Sequence, residues 1–144
     1  MIKEVDKTEE VKKVLSQYRR VMSMIRDMEL KIEYMDKCMT SAKSGKITGM
    51  PRGGTPITME DMVAKKDEYI CRKKRYEVIA NQKKEIVQSY IDTVFSPRHN
   101  EVLTLYYAEA KTIEEIAKEI PCTARHALRL RKEGVLMVDI SLNL

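Results

Sequence analysis

Residues 96–138 read SPRHNEVLTLYYAEAKTIEEIAKEIPCTARHALRLRKEGVLMV, and three helix starts follow one another within that stretch. Ser96 offers a side-chain acceptor at an N-cap, and Pro97 stands at the first helical position, where no backbone donor is needed. The helix they open carries Val102, Leu103, Leu105, Tyr106 and Tyr107 as its apolar face. Thr112-Ile113-Glu114-Glu115 is a capping box, in which Thr112 and Glu115 satisfy each other's backbone donors. Ile113, Ile116, Ala117 and Ile120 then fall on one face at helical spacing, until Pro121 stops the helix by restricting the residue before it. Thr123 caps a third helix, predicted over about 123–133, with Ala127, Leu130 and Gly134 inward and Arg125, Arg129 and Lys132 outward. Gly134 weakens a helix interior by about 1 kcal/mol, so the third helix is also read as ending there. Two helices, a short turn and a basic third helix are the parts of a major-groove reader.

Upstream, the pattern is that of a long antiparallel helical hairpin. Val11, Val14, Tyr18, Val21, Ile25, Met28, Ile32, Met35 and Met39 recur by threes and fours, a coiled-coil-like seam. At ~1.5 Å per residue such a helix is on the order of 50 Å long. Glycines and prolines crowd the stretch around GMPRGG at residues 49–54, which predicts a loop at 44–57. Thr58-Met59-Glu60-Asp61 restarts a helix with acids in its first turn, as the helix dipole favours. Its stripe includes Met62, Val63, Tyr69, Ile70, Tyr76, Ile79, Ala80, Ile86, Val87, Tyr90 and Ile91 but is broader and interrupted by lysines, which leaves its register open. The expected fold class is therefore all-α, with residues 1–94 as an oligomerising hairpin and 95–144 as a three-helix, helix-turn-helix DNA-binding domain. Two helices bury one narrow stripe, so self-association as a homodimer through the long helices is expected, which would present two readers to one site.

Composition sets the outer limits. The chain has 144 residues, 43% hydrophobic and 34% charged, with a formal net charge of +5. No window approaches the ~20 apolar residues of a membrane span, and the first residues lack a signal-peptide core. Cys38, Cys71 and Cys122 are odd in number and scattered, which fits a reducing cytoplasm rather than a disulfide framework. From residue 96 onward the cations Arg98, Lys111, Lys118, Arg125, Arg129, Arg131 and Lys132 are matched in number by acids, so the basic excess lies upstream. What favours DNA is segregation: four of these cations fall between residues 125 and 132, while Glu114, Glu115 and Glu119 stand apart, open to a protein partner.

The run PRHNEVLTLYYAEAKTIEEIAKEIPCTARHALRLRKEGVL resembles the fourth region of bacterial sigma factors. It is more similar to the sigma-like domain of phage and mobile-element regulators of the ArpU and RinA type, which share a pattern like PRERELLxLRYxEGLSxEEIAxxLGYSxRQVYRxHKRAL. The shared positions include Pro97, Arg98, Glu101, Leu103, Tyr107, Glu114 to Ala117, Thr123, Arg125 and Arg129. The resemblance implies a transcriptional regulator whose partners are double-stranded DNA and bacterial RNA polymerase. The chain departs from the pattern at Pro121, where the family has a turn glycine, and at His126 and Leu128, where polar residues are common.

The candidate DNA-binding residues are Thr123, Ala124, Arg125, His126, Arg129, Arg131 and Lys132. Arg125 and Arg129, one turn apart, suit paired hydrogen bonds to guanine; a solvated helix face is the plain alternative. Thr123 and Ala124 suit a phosphate and a thymine methyl. Arg131 and Lys132, with Arg98 and Lys111, suit the phosphate backbone or plain solvent, and His126 a base, a phosphate or a capping role. Arg72 to Arg75 with Lys65, Lys66, Lys83 and Lys84 wrap around the second long helix, which favours solvation over phosphate binding. Lys46 and Arg52 in the glycine-rich loop are read as part of a connector, with anion binding as the alternative.

No catalytic residue, metal site or cofactor is expected. Cys122 and His126 lack further zinc ligands, and Gly45-Lys46 lacks the rest of a P-loop. Two rival readings remain at the sequence level: a phage DNA-packaging recognition subunit of small-terminase type, and a coiled-coil interaction adaptor with a degenerate helix-turn-helix.

Overall fold

The computed structural model describes residues 2–43 and 58–141, with side chains from 7–41 and 58–141. It is all-α, and no strand occurs among the described residues. The elements are α1 (Ile2–Leu15), α2 (Gln17–Lys43), α3 (Met59–Ile91), α4 (Pro97–Leu103), a π-helical turn (Thr104–Ala108), α5 (Ile113–Glu119) and α6 (Ala124–Met137). The GMPRGG loop, with Lys46 and Arg52, lies outside the described residues.

The seam expected of a single first helix is carried by two, separated by Ser16 alone. Ser16 N still donates to Lys12 O at 2.9 Å, and Arg20 N to Ser16 O at 3.0 Å. The Gln17 amide adds a bond to Val14 O at 3.0 Å. α3 begins with a reciprocal cap: Asp61 N donates to Thr58 Oγ1 at 3.1 Å, and Thr58 N to Asp61 Oδ2 at 3.4 Å.

The chain packs as two compact units, residues 23–78 and residues 1–22 with 79–144. Within 23–78, α2 and α3 run antiparallel: Lys73 reaches Glu29 at 3.5 Å, Lys66 pairs with Asp36, and the Lys31 ammonium lies 5.6 Å from the Tyr69 ring centroid. Each step forward on α2 is a step back on α3. These pairs also explain the lysines that interrupt the α3 stripe. Lys66 and Lys73 occupy half-buried positions, carry their stems along the seam and place their charges on acids of α2. Such exposed pairs contribute no more than about 1 kcal/mol each, so they fix register more than stability. Burial along α2 is full at Ile25 and Met28 and partial at Ile32, Met35 and Met39.

The other unit cuts across the boundary expected at 94/95. Val11 and Leu15 of α1 and Val87 and Ile91 of α3 share one core with Val94, Leu103, Tyr107, Ala108, Val135 and Val138. Burying each of those four aliphatic side chains is worth about 1.5–3 kcal/mol, an upper estimate against an extended chain. Leu15, fully buried, is absent from the sequence seam because it neighbours Val14, the residue that keeps the three-and-four rhythm. A second cluster, Val102, Leu105, Ile116, Ile120, Ala127 and Leu130, joins α4, the π-turn, α5 and α6. These are the inward positions that the helical periodicity assigned.

α6 does not end at Gly134. It continues to Met137, and Gly134 packs against Leu103 of α4. A Cβ there would stand 3.0 Å from both Cγ and Cδ1 of Leu103.

Candidate nucleic-acid interface

Helices α5 and α6 each begin on a threonine cap. Thr112 Oγ1 accepts from Glu115 N at 3.2 Å, and Thr123 Oγ1 from His126 N at 3.1 Å. The expected return bond from Glu115 to Thr112 N is not formed among the described residues. Ser96 differs more. It occupies the N-cap of α4, but its hydroxyl lies 2.6 Å from His99 Nδ1 and makes no side-chain cap to the backbone.

The residues between α5 and α6 need no left-handed backbone. Ile120 (φ −103°, ψ 105°) and Thr123 (φ −79°, ψ 155°) are extended, and Pro121 fits between them. The left-handed residue among the described non-glycine positions is Ala110, φ 56°, at the end of the π-turn. There Lys111 N reaches back to Leu105 O at 3.0 Å and closes the helix end. This is where the pattern of the resembled family carries its EG glycine.

Thr123, Ala124, Arg125, Leu128, Arg129 and Lys132 are exposed on α6, and His126 is half-buried beside them. The face they make is a shallow depression of about 560 Å³ lined by Thr123, Arg125, His126, Leu128, Arg129 and Lys132. Arg129 keeps 67% of its side chain exposed. Its Nη2 donates to His126 Nδ1 at 3.3 Å, and its Nε lies 3.6 Å from Glu133 Oε1. Among the described residues, Arg125 and Lys132 make no ion pair. Neither arginine is covered by protein, so this basic face is bare.

Arg131 stands apart from that face, six residues and about 120° round the helix from Arg125. Its guanidinium lies 4.5 Å from the Tyr106 ring centroid, and Arg19 of α2 covers the same ring at 3.9 Å. Arg19 Nη1 also donates to Tyr106 O (2.8 Å) and Lys111 O (2.9 Å), tying α2 to the segment that precedes α5. Arg131 is thus part of a stack that braces α6 against the π-turn and α2. Glu119, expected to be open to a partner, is instead paired with Lys111, whose pKa is raised first of all by that hydrogen bond; Glu114 and Glu115 are exposed.

Glu133 takes a position that the sequence reading did not assign. Its Oε2 lies 2.8 Å from His99 Nε2 while Oε1 faces Arg129. The His99 hydrogen bond, opposed by burial and aided by the charge of Arg129, holds its carboxyl below the usual range. Thirty-four residues separate His99 from Glu133, and nothing in either local pattern announces the contact. Arg19 was equally unmarked. No protein family model, curated protein or solved structure matches the chain.

Proposed function

We propose that this chain is a sequence-specific, DNA-binding transcriptional regulator of the sigma-like kind encoded by phages and mobile elements, acting in the bacterial cytoplasm. α6 enters the major groove, Arg125 and Arg129 read base edges, and Lys132 and the Thr123–Ala124 end meet the backbone and a thymine methyl. The observation that carries this reading is the bare basic face of α6, on a capped helix that follows a short turn from α5. In keeping with this, no helix among the described residues is long and apolar enough to cross a membrane. Self-association through the partly buried outer seam (Ile32, Met35, Met39) pairs two readers on one site, and the exposed Glu114 and Glu115 are offered to RNA polymerase.

Selection of bound fragments from bacterial and phage DNA supplies the cognate site. On that site Arg129→Ala is expected to cost ~1–3 kcal/mol and to relax preference at one base position. Binding is expected to weaken steeply with salt as phosphate contacts release counterions. Equal loss on random DNA reduces Arg129 to a phosphate contact, and flat, salt-insensitive titrations overturn the reading. Light scattering at micromolar concentration tests the dimer: a monomeric mass removes it.

A further inference from the structure

The only two histidines in the chain, His99 and His126, belong to one polar network that runs through Arg129. It starts at Ser96 before α4, passes through His99 to Glu133 on α6, crosses from Glu133 to Arg129, and closes on His126. Its proton directions follow from chemistry. Glu133, ionised at neutral pH, only accepts, so His99 Nε2 carries the hydrogen. With neutral His99, Nδ1 is then an acceptor and Ser96 Oγ–H donates to it. Arg129 has only donors, so His126 Nδ1 is bare and its proton sits on Nε2.

We propose that His99 and Glu133 are positioning residues for Arg129: they set which way its guanidinium faces on the exposed surface of α6, and thereby the sequence discrimination of the protein. This rests on the DNA-reading assignment above. An exposed arginine has many rotamers, and ordering them on binding opposes affinity. Here Glu133 draws Nε to one side while His126 takes Nη2, so the planar fork is held from both ends before DNA arrives. Glu133 is itself anchored by a half-buried histidine on a different helix, which gives the carboxylate a fixed place rather than a solvent-averaged one. The hydroxyl of Ser96, withheld from helix capping, fixes the ring.

The arrangement has a signature that simple destabilisation lacks. Glu133 is an acid beside a phosphate-facing surface, so removing it strengthens non-specific attraction to any DNA while it loosens the guanidinium that discriminates. Glu133→Ala is expected to bind random duplex at least as tightly as the native chain, yet to lose about tenfold in the ratio of selected-site to random affinity. His99→Ala lowers the same ratio, and His99→Gln, whose amide still donates to Glu133, restores it. In an Arg129→Ala background neither change moves the ratio further. A parallel loss on both duplexes, or an effect that survives Arg129→Ala, overturns the proposal.

The free protein supplies an independent readout. The Arg129 Nε–H resonance is expected to report an ordered side chain in the native protein and a mobile one in Glu133→Ala, with His99 as the Nε2–H tautomer. An Arg129 signal as mobile as that of Arg125 in the native protein overturns the positioning role whatever the DNA result. A native chain that does not discriminate between duplexes removes the DNA reading instead, while the Arg129 resonance still decides the network.

Discussion

Replacing Gly134 by alanine sets two effects of known sign against each other. In an exposed helix interior the change stabilises by about 1 kcal/mol, because glycine has the larger backbone entropy to lose. At Gly134 the added methyl meets Leu103 Cγ and Cδ1 at 3.0 Å and Cδ2 at 3.3 Å. Leu103 is fully buried in the same core as Val94, Tyr107, Ala108 and Val135, which leaves it little room to swing aside. Overpacking of this kind costs about 1–3 kcal/mol, and one methyl against three atoms of a fully buried side chain belongs in the upper half of that range. The expected net effect of Gly134→Ala is a loss of about 1–2 kcal/mol, or about 3–6 °C in melting temperature for a chain of this size. Urea unfolding followed by far-UV circular dichroism measures it. The companion variant Leu103→Ala is expected to lose about 2–5 kcal/mol alone. Combined with Gly134→Ala it is expected to lose less than the sum, since the new methyl enters the vacated space. A Gly134→Ala protein more stable than native by the full propensity gain refutes the close approach of α4 and α6.

Other variants address separate parts of the fold. Arg19→Ala removes two hydrogen bonds from a charged donor and one face of the Tyr106 stack, and is expected to cost about 2–4 kcal/mol, with Arg19→Lys recovering only a part, by urea titration. Ala110→Gly relieves a left-handed alanine and is expected to stabilise by about 0.5–1 kcal/mol in the same assay; an unchanged midpoint argues against φ 56° at that residue. Burial raises the Tyr107 phenol above its ordinary value of 10.0, so the folded state prefers the neutral ring. Its contribution is complete below that value and is lost as pH rises through the folded pKa, so Tyr107→Phe is expected to flatten the alkaline arm of the stability profile. A fragment of residues 96–144 lacks Val11, Leu15, Val87 and Ile91 and is expected to show little cooperative unfolding by calorimetry.

Local chemistry made much of this legible. The Thr112 and Thr123 caps, the inward Ile116, Ala127 and Leu130, and the outward Arg125 and Arg129 all follow from spacing within one turn or two of helix. Contacts between distant segments were not legible. Arg19 with Tyr106 and His99 with Glu133 join residues 87 and 34 positions apart, and a charged side chain on an amphipathic helix looks the same whether it meets solvent or a neighbour. The domain boundary was misplaced for a related reason. Pattern marks where helices start, but only packing reveals that α1 and the end of α3 bury their apolar faces with Leu103 and Val135. The π-turn gave no signal, since Thr104 to Ala108 continue the composition of the helix before them.

Because the foundation on which α6 rests is drawn from segments some eighty residues apart, a target preference of the kind proposed would not be a cassette that can be clipped out and moved. On the proposed reading, retargeting would mean repainting the outward side chains of α6 in place, with the contacts of Ser96, His99 and Glu133 kept as they are.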